Sequence, residues 1–215
     1  MATALSAFLP YVMPYVDGCP DIVAEQAILR ASIEFCERTQ YWRYDLSPIT
    51  PVKNIKEYTL SLPSGSAISS VEDPVYHAGT EISLVTRDWL SKNVANWKTI
   101  TKSKAEYIYV PEPGKIRLVP YPSETSVGAL EVSVILKPKP DATTIPDVLF
   151  DEYFECISEG AKYKLFSIPK KDWSDTESSL IAKAIFDDGI EGAVSKSKSG
   201  FKTEDRRNKV RAHYY

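Results

Sequence analysis

Any chemistry in this 215-residue chain would have to be assembled from few parts. A nucleophile needs a base and a metal needs clustered ligands, and there are two histidines, His77 and His213. His77 falls in the tight turn His77-Ala78-Gly79 and reads as an exposed turn residue, while His213 lies in the last segment. Neither stands at metal-ligand spacing from a second ligand or beside an evident Ser or Cys nucleophile. Asp187-Asp188 suggests an acid/base or metal pair, but adjacent helical positions diverge by about 100°, so a solvated face is the simpler reading. Cys19, Cys36 and Cys156 are odd in number, far apart and without C-x-x-C spacing, as expected of reduced thiols in a cytosolic compartment. Neither G-x-G-x-x-G nor G-x-x-x-x-G-K-[ST] occurs, and Ser64-Gly-Ser66 is an ordinary turn. The residues therefore predict no catalytic, cofactor or metal site.

What the chain has in excess is aromatic surface and a divided charge. Thirteen tyrosines and four tryptophans admit rings lining a core, anchors at protein contacts, or a platform for stacking sugars. Trp42 and Trp173, each beside a helix end, are expected to fix helices against a β-module. The net charge is -3, yet the last twenty residues hold seven cations and two acids, hence +5, which leaves -8 on the preceding 195. An acidic body argues against one that coats nucleic acid. In the tail, Phe201, Val210, Tyr214 and Tyr215 alternate with Lys202, Arg206, Arg207, Lys209 and Arg211. That composition fits either a solvated charge run or a segment that docks on a partner through ring pockets and Arg–carboxylate pairs. No apolar run approaches the ~18 residues a membrane span needs, and no basic region precedes the short apolar stretch Leu5 to Leu9.

The elements that position these residues follow from periodicity. Pro10, Pro14 and Pro20 predict an extended or polyproline-like arm over 1–19, packed on its own helices or on a neighbouring subunit. A helix is expected from Pro20 to Gln40, with Ile22, Leu29, Ile33 and Cys36 on its buried face. From Leu46 to Leu136 the period falls to two, with strands at Lys56–Leu62, Ile68–Tyr76, Thr80–Val85, Ala105–Val110, Lys115–Val119 and Ala129–Leu136 separated by Gly and Pro turns. One short helix is expected within Thr86–Lys104. Thr144-Ile-Pro-Asp147 and Ser174-Asp-Thr-Glu177 read as capping boxes opening two further helices, the second burying Leu180, Ile181, Ala184 and Ile185. Gly189 and Gly192 should each weaken that helix by roughly 1 kcal/mol relative to alanine. The predicted fold is α+β: a bundle of about three helices (1–45 and 141–195), an inserted antiparallel β-sandwich or barrel-like module (46–140), and a flexible basic tail (196–215).

Phe35-Cys-Glu-Arg-Thr-x-x-Trp42, the run Pro48 to Tyr58, Ile116-Arg-Leu-Val-Pro-x-Pro122, Leu136-Lys-Pro138, Glu159-Gly-Ala161 and Pro169-x-x-x-Trp173-Ser174 occur in this order. Together they resemble the head-to-tail adaptor, or connector, proteins of tailed bacteriophages. The resemblance implies a non-enzymatic virion protein of the neck, made in the bacterial host cytoplasm, without cofactor or membrane contact. It implies a homo-oligomeric ring, dodecameric, beneath the portal protein, with a downstream tail or neck protein below and viral double-stranded DNA passing through the lumen without sequence-specific binding. In such proteins the C-terminal segment reaches the portal, a role that maps onto Gly200 to Tyr215. Glu204 and Asp205 depart from a strongly Arg-rich tail. A tail-tube ring component, or a glycan- or ligand-binding β-sandwich using Trp89 or Trp97, are the alternative readings.

Overall fold

The computed structural model describes residues 2–199. Its first residues coil rather than extend: β1 (Ala2–Ala4) leads into a 3-10 turn at Leu5–Phe8, α1 (Leu9–Val12) and a second 3-10 turn at Met13–Tyr15. The polyproline expectation fails because Pro10 and Pro14 occupy the first positions of these turns, where a missing N–H removes no bond. Phe8, Val12 and Val16 are fully buried in the helical core, so the arm packs on its own helices.

The helix α2 (Asp21–Thr39) starts after Pro20 and stops where Gln40 turns left-handed (φ 52°), its N–H donating to the Cys36 carbonyl at 3.0 Å. Its buried face is Ala24, Ala27, Ile28, Leu29, Ala31, Ser32, Phe35 and Cys36, with Ile33 half-buried, whereas Ile22 is exposed. Small residues on that face let neighbouring helices approach closely, and Ser32 satisfies its hydroxyl on the Ile28 carbonyl.

Twelve strands besides β1 follow α2, and all of them precede α4. The first eleven are β2 (Arg43–Asp45), β3 (Glu57–Thr59), β4 (Ser66–Val71), β5 (Val75–His77), β6 (Thr80–Leu84), β7 (Thr101–Lys102), β8 (Tyr107–Glu112), β9 (Lys115–Val119), β10 (Tyr121–Pro122), β11 (Leu130–Glu131) and β12 (Ser133–Pro138), with α3 (Arg87–Asn93) between β6 and β7. A last strand, β13 (Thr144–Pro146), pairs with β1. The main sheet runs β11-β5-β6-β8-β9-β3, and a second runs β2-β12-β4.

The expected antiparallel module is in fact mixed, because β6 and β8 are parallel, with Ser83 opposite Tyr107 and Leu84 opposite Ile108. Parallel neighbours need a long crossover, and residues 85–106 with α3 supply it. Thr86 caps α3, its hydroxyl accepting from the Trp89 N–H at 3.2 Å. The hairpin tips behave locally: Ala78 (φ 51°) and Gly79 (φ 72°) make the two-residue turn between β5 and β6, the geometry that matches strand twist.

The chain ends in α4 (Asp147–Phe166) and α5 (Thr176–Ser199). Neither expected capping box forms. Thr144 is paired in β13, and the Asp147 carboxylate instead accepts from the Thr3 hydroxyl at 2.6 Å. At α5 the cap is Asp175, which accepts from the N–H groups of Glu177 and Ser178, while the Ser174 hydroxyl bonds the Ile168 carbonyl. The helices α2, α4 and α5 share one core, the strands a second, and Leu90, Trp97, Tyr109 and Val119 a third. Of the five helices α3 stands apart in the third core, and the helical part is not a clean three-helix bundle: the coiled arm with α1 joins α2, α4 and α5 in it, because the arm's apolar residues need a neighbour and α4 provides it.

The crossing of α4 and α5 depends on two glycines. A Cβ at Gly160 would lie 2.7 Å from the Phe186 ring, and one at Gly189 would lie 2.6 Å from the Cys156 sulfur, whereas Gly192 faces open space. Alanine at Gly192 should therefore stabilise the protein by roughly 0.5–1 kcal/mol. At Gly189 the same helical gain is outweighed by overpacking of roughly 1–3 kcal/mol, so Gly189→Ala should lower the urea midpoint while Gly192→Ala raises it. Equal shifts of one sign would overturn the close-approach argument.

Candidate functional site

The residues able to do chemistry are dispersed and spent on structure. His77 is not an exposed turn residue: it is 1% exposed. The turn proper is Ala78-Gly79, which makes His77 the last residue of β5, and strand alternation turns Tyr76 outward and His77 inward. Its Nδ1 accepts from the Ala105 N–H at 3.0 Å, and its Nε2 is buried without a partner. Burial, with Lys104 nearby, holds its pKa below the usual imidazole value. Asp187 and Asp188 diverge, Asp187 pairing with Arg38 of α2 while Asp188 stands at a groove. Burial pushes the thiols of Cys36 and Cys156 up to about 12, so neither supplies a thiolate at neutral pH. Among the described residues no cluster of three His, Cys, Asp or Glu is placed to hold a metal, and no helix is long and apolar enough to cross a membrane.

The two junction tryptophans have different neighbours. Trp42 packs against both the helical and the main strand core, whereas Trp173 packs against the helical core, its Nε1 buried without a partner. Of the two tryptophans on the β side, Trp97 is buried in the third core, edge-on to Tyr109 at 5.5 Å, under the Arg117 guanidinium at 5.5 Å. Trp89 is half-exposed and leans on Tyr107. A stacking platform built on both rings is therefore not present on this surface. The tail residues Phe201, Lys202, Arg206, Arg207, Lys209, Arg211, Tyr214 and Tyr215 lie outside the described residues.

Exposed apolar residues are scattered over the β part, Val127 and Ile55 among them, but on α5 they line up in one stripe, where periodicity places core. Leu180 (66% exposed), Ile181 (57%) and Ile185 (49%) face outward with Ala184, and α5 buries Ser179, Ala182, Phe186, Ile190 and Ala193 instead. Both stripes recur at helical spacing; α4 accepts the one carrying Phe186 because Gly160 leaves room for its ring. Arg38, between Glu34 and Asp187, and Lys164 on Glu34 then lock α2, α4 and α5 in that rotation. Exposed aliphatic stripes of this kind mark contact surfaces.

Beside the stripe a groove of about 600 Å³ runs between the N-terminal arm and α5, floored by α4. Charge has the same location. The helices α2, α4 and α5 hold thirteen acids and seven cations, a net of -6, and the remaining residues up to 199 hold fourteen of each. The acidic body of the chain is thus its three long helices, and the β structure is neutral.

The described surface thus joins an exposed aliphatic stripe on α5 to three acidic helices. No curated protein matches the chain. The model of the SU10 adaptor protein family matches residues 3–211, spanning both large cores and the exposed face of α5. The chain belongs to the SU10 adaptor protein family and is a structural adaptor of the head-to-tail type found in tailed bacteriophages.

Proposed function

We infer that copies of this chain assemble side by side as a ring in the virion neck, dodecameric, beneath the portal protein, joining capsid to tail. The observation that carries the reading is the exposed face Leu180, Ile181, Ala184 and Ile185 on α5, in a chain of an adaptor family. Covering the exposed halves of three large aliphatic side chains is worth about 1 kcal/mol each, repeated at every contact of a closed ring. The acidic helices suit a lumen through which duplex DNA slides without adhering, since phosphate repels carboxylate. The segment Gly200 to Tyr215 docks on the portal through its arginines and rings, and the neutral β structure meets the downstream tail or neck protein.

The test is assembly with purified portal, read by gel filtration and negative-stain imaging. The full chain should give a ring on the portal. Leu180→Glu with Ile181→Glu should leave far-UV circular dichroism unchanged and abolish the ring, and a variant that still closes rings would refute the α5 contact. A chain ending at Ser199 retains every described residue and should fail to dock. Docking at full affinity would assign the portal contact elsewhere.

A further inference from the structure

The groove beside α5 has a chemistry of its own. Tyr11 and Tyr15 of the arm form one wall, Phe154 the floor and Ile185 the other wall, with Glu155 and Asp188 at the rim. Tyr15 is 62% exposed. Glu155 and Asp188 have no cationic partner among the described residues. One cation already shows what the groove binds: the Lys162 ammonium lies 4.1 Å from the centre of the Tyr15 ring and pairs with Glu159. Rings with free carboxylates around them select a cationic, aromatic occupant.

We propose that in the free chain this groove holds the chain's own C-terminal segment, residues 200–215. Charge complementarity supports it: the segment carries Lys202, Arg206, Arg207, Lys209 and Arg211 against Glu204 and Asp205, with Phe201, Val210, Tyr214 and Tyr215 as apolar anchors. Reach supports it as well. From Ser199 back to Ile185 along α5 is about 21 Å at ~1.5 Å per residue, and sixteen residues can span up to about 50 Å. The segment is cationic where the β structure is neutral, so the acidic helices that line this groove are its better match. The contact concerns the free chain and stands or falls separately from portal docking, because its test contains no portal.

The experiment is photo-cross-linking of the full chain with p-benzoylphenylalanine in place of Tyr214, the products mapped by mass spectrometry. Intrachain cross-links to the arm near Tyr11–Tyr15, to α4 near Phe154–Ser158 or to Ile185 are expected. Interchain products alone, cross-links to the β strands or α3, or a yield no higher than in urea would each overturn the proposal. Glu155→Lys with Asp188→Lys should cut the yield roughly fivefold or more, each lost pair accounting for a factor of about two to five. In the unmutated chain the yield should fall as salt is raised from about 0.05 to 0.5 M, because screening weakens exposed pairs. A yield indifferent to both changes would overturn the electrostatic match even if that double variant folded poorly.

Discussion

Phe186→Ala is expected to lower the unfolding free energy by about 3–5 kcal/mol, the range for deleting a fully buried aromatic ring. The ring is 1% exposed, and Gly160 of α4 leaves the space it occupies. Alanine would leave a cavity that the helices cannot close without moving the Arg38–Asp187 and Lys164–Glu34 pairs that clamp them. Leu180→Ala on the opposite side of α5 should change stability by no more than about 0.5 kcal/mol, since Leu180 is exposed. Urea unfolding of the two variants separates the rotation of α5 seen here from the one in which Leu180, Ile181 and Ile185 form the core. A loss below about 1 kcal/mol at Phe186, or a large loss at Leu180, would mean that α5 is seated the other way. The pair also reverses in assembly, where substitution at Leu180 should weaken the ring without weakening the fold.

Acidification is expected to loosen the main sheet through His77. Its Nδ1 accepts from the Ala105 N–H, so the neutral ring carries its proton on the buried Nε2, and protonating Nδ1 would set donor against donor. Burial disfavours the cation and Lys104, the charged group that acts on it, adds to the effect; both lower the folded-state pKa. A base whose pKa is lowered by folding contributes stability that is complete above its unfolded value, about 6.5, and is lost as pH falls from there towards the folded value. The urea midpoint should therefore decline between about pH 7 and pH 5. His77→Asn retains an acceptor for the Ala105 N–H without a titrating ring and should flatten that decline, which leaves only the carboxylates to respond. His77→Ala orphans a buried donor and should cost roughly 1–3 kcal/mol at neutral pH. Parallel pH profiles for the wild-type and Asn proteins would remove His77 from the account.

The two expectations about His77 and α5 show where sequence reading stops. At His77, the Gly of the turn is legible, yet the side chain's direction depends on which residue the turn begins at. With Ala78 able to take φ 51° beside Gly79, the strand gains a residue and His77 faces the core. At α5, Leu180, Ile181, Ala184 and Ile185 have the same helical spacing as Ala182, Phe186, Ile190 and Ala193. Periodicity identifies both stripes and ranks the more aliphatic one first; Gly160 of α4, twenty-six residues before Phe186, reverses that order. The tight crossing at Gly189 and Cys156 is equally silent in a single chain, because it depends on contact between helices and not on the propensity of either.

The family was legible only as a resemblance carried by packing and turn residues, whereas the order of elements, the hairpin tips, the short helix inside Thr86–Lys104 and the acidic body were legible from the residues themselves. These rest on local physics: dihedral preferences of Gly and Pro, the two periods of apolar residues, and the sum of charges. The parallel pairing of β6 with β8, the inward His77, the caps supplied by Asp175 and by the Thr3–Asp147 contact, the coiled N-terminal arm, and the face of α5 left for partners came only with the tertiary structure. Each of those depends on which distant group is at hand to cover an apolar stripe or satisfy a polar atom. Spacing along the chain states that such a group is needed, and only the packed molecule names it.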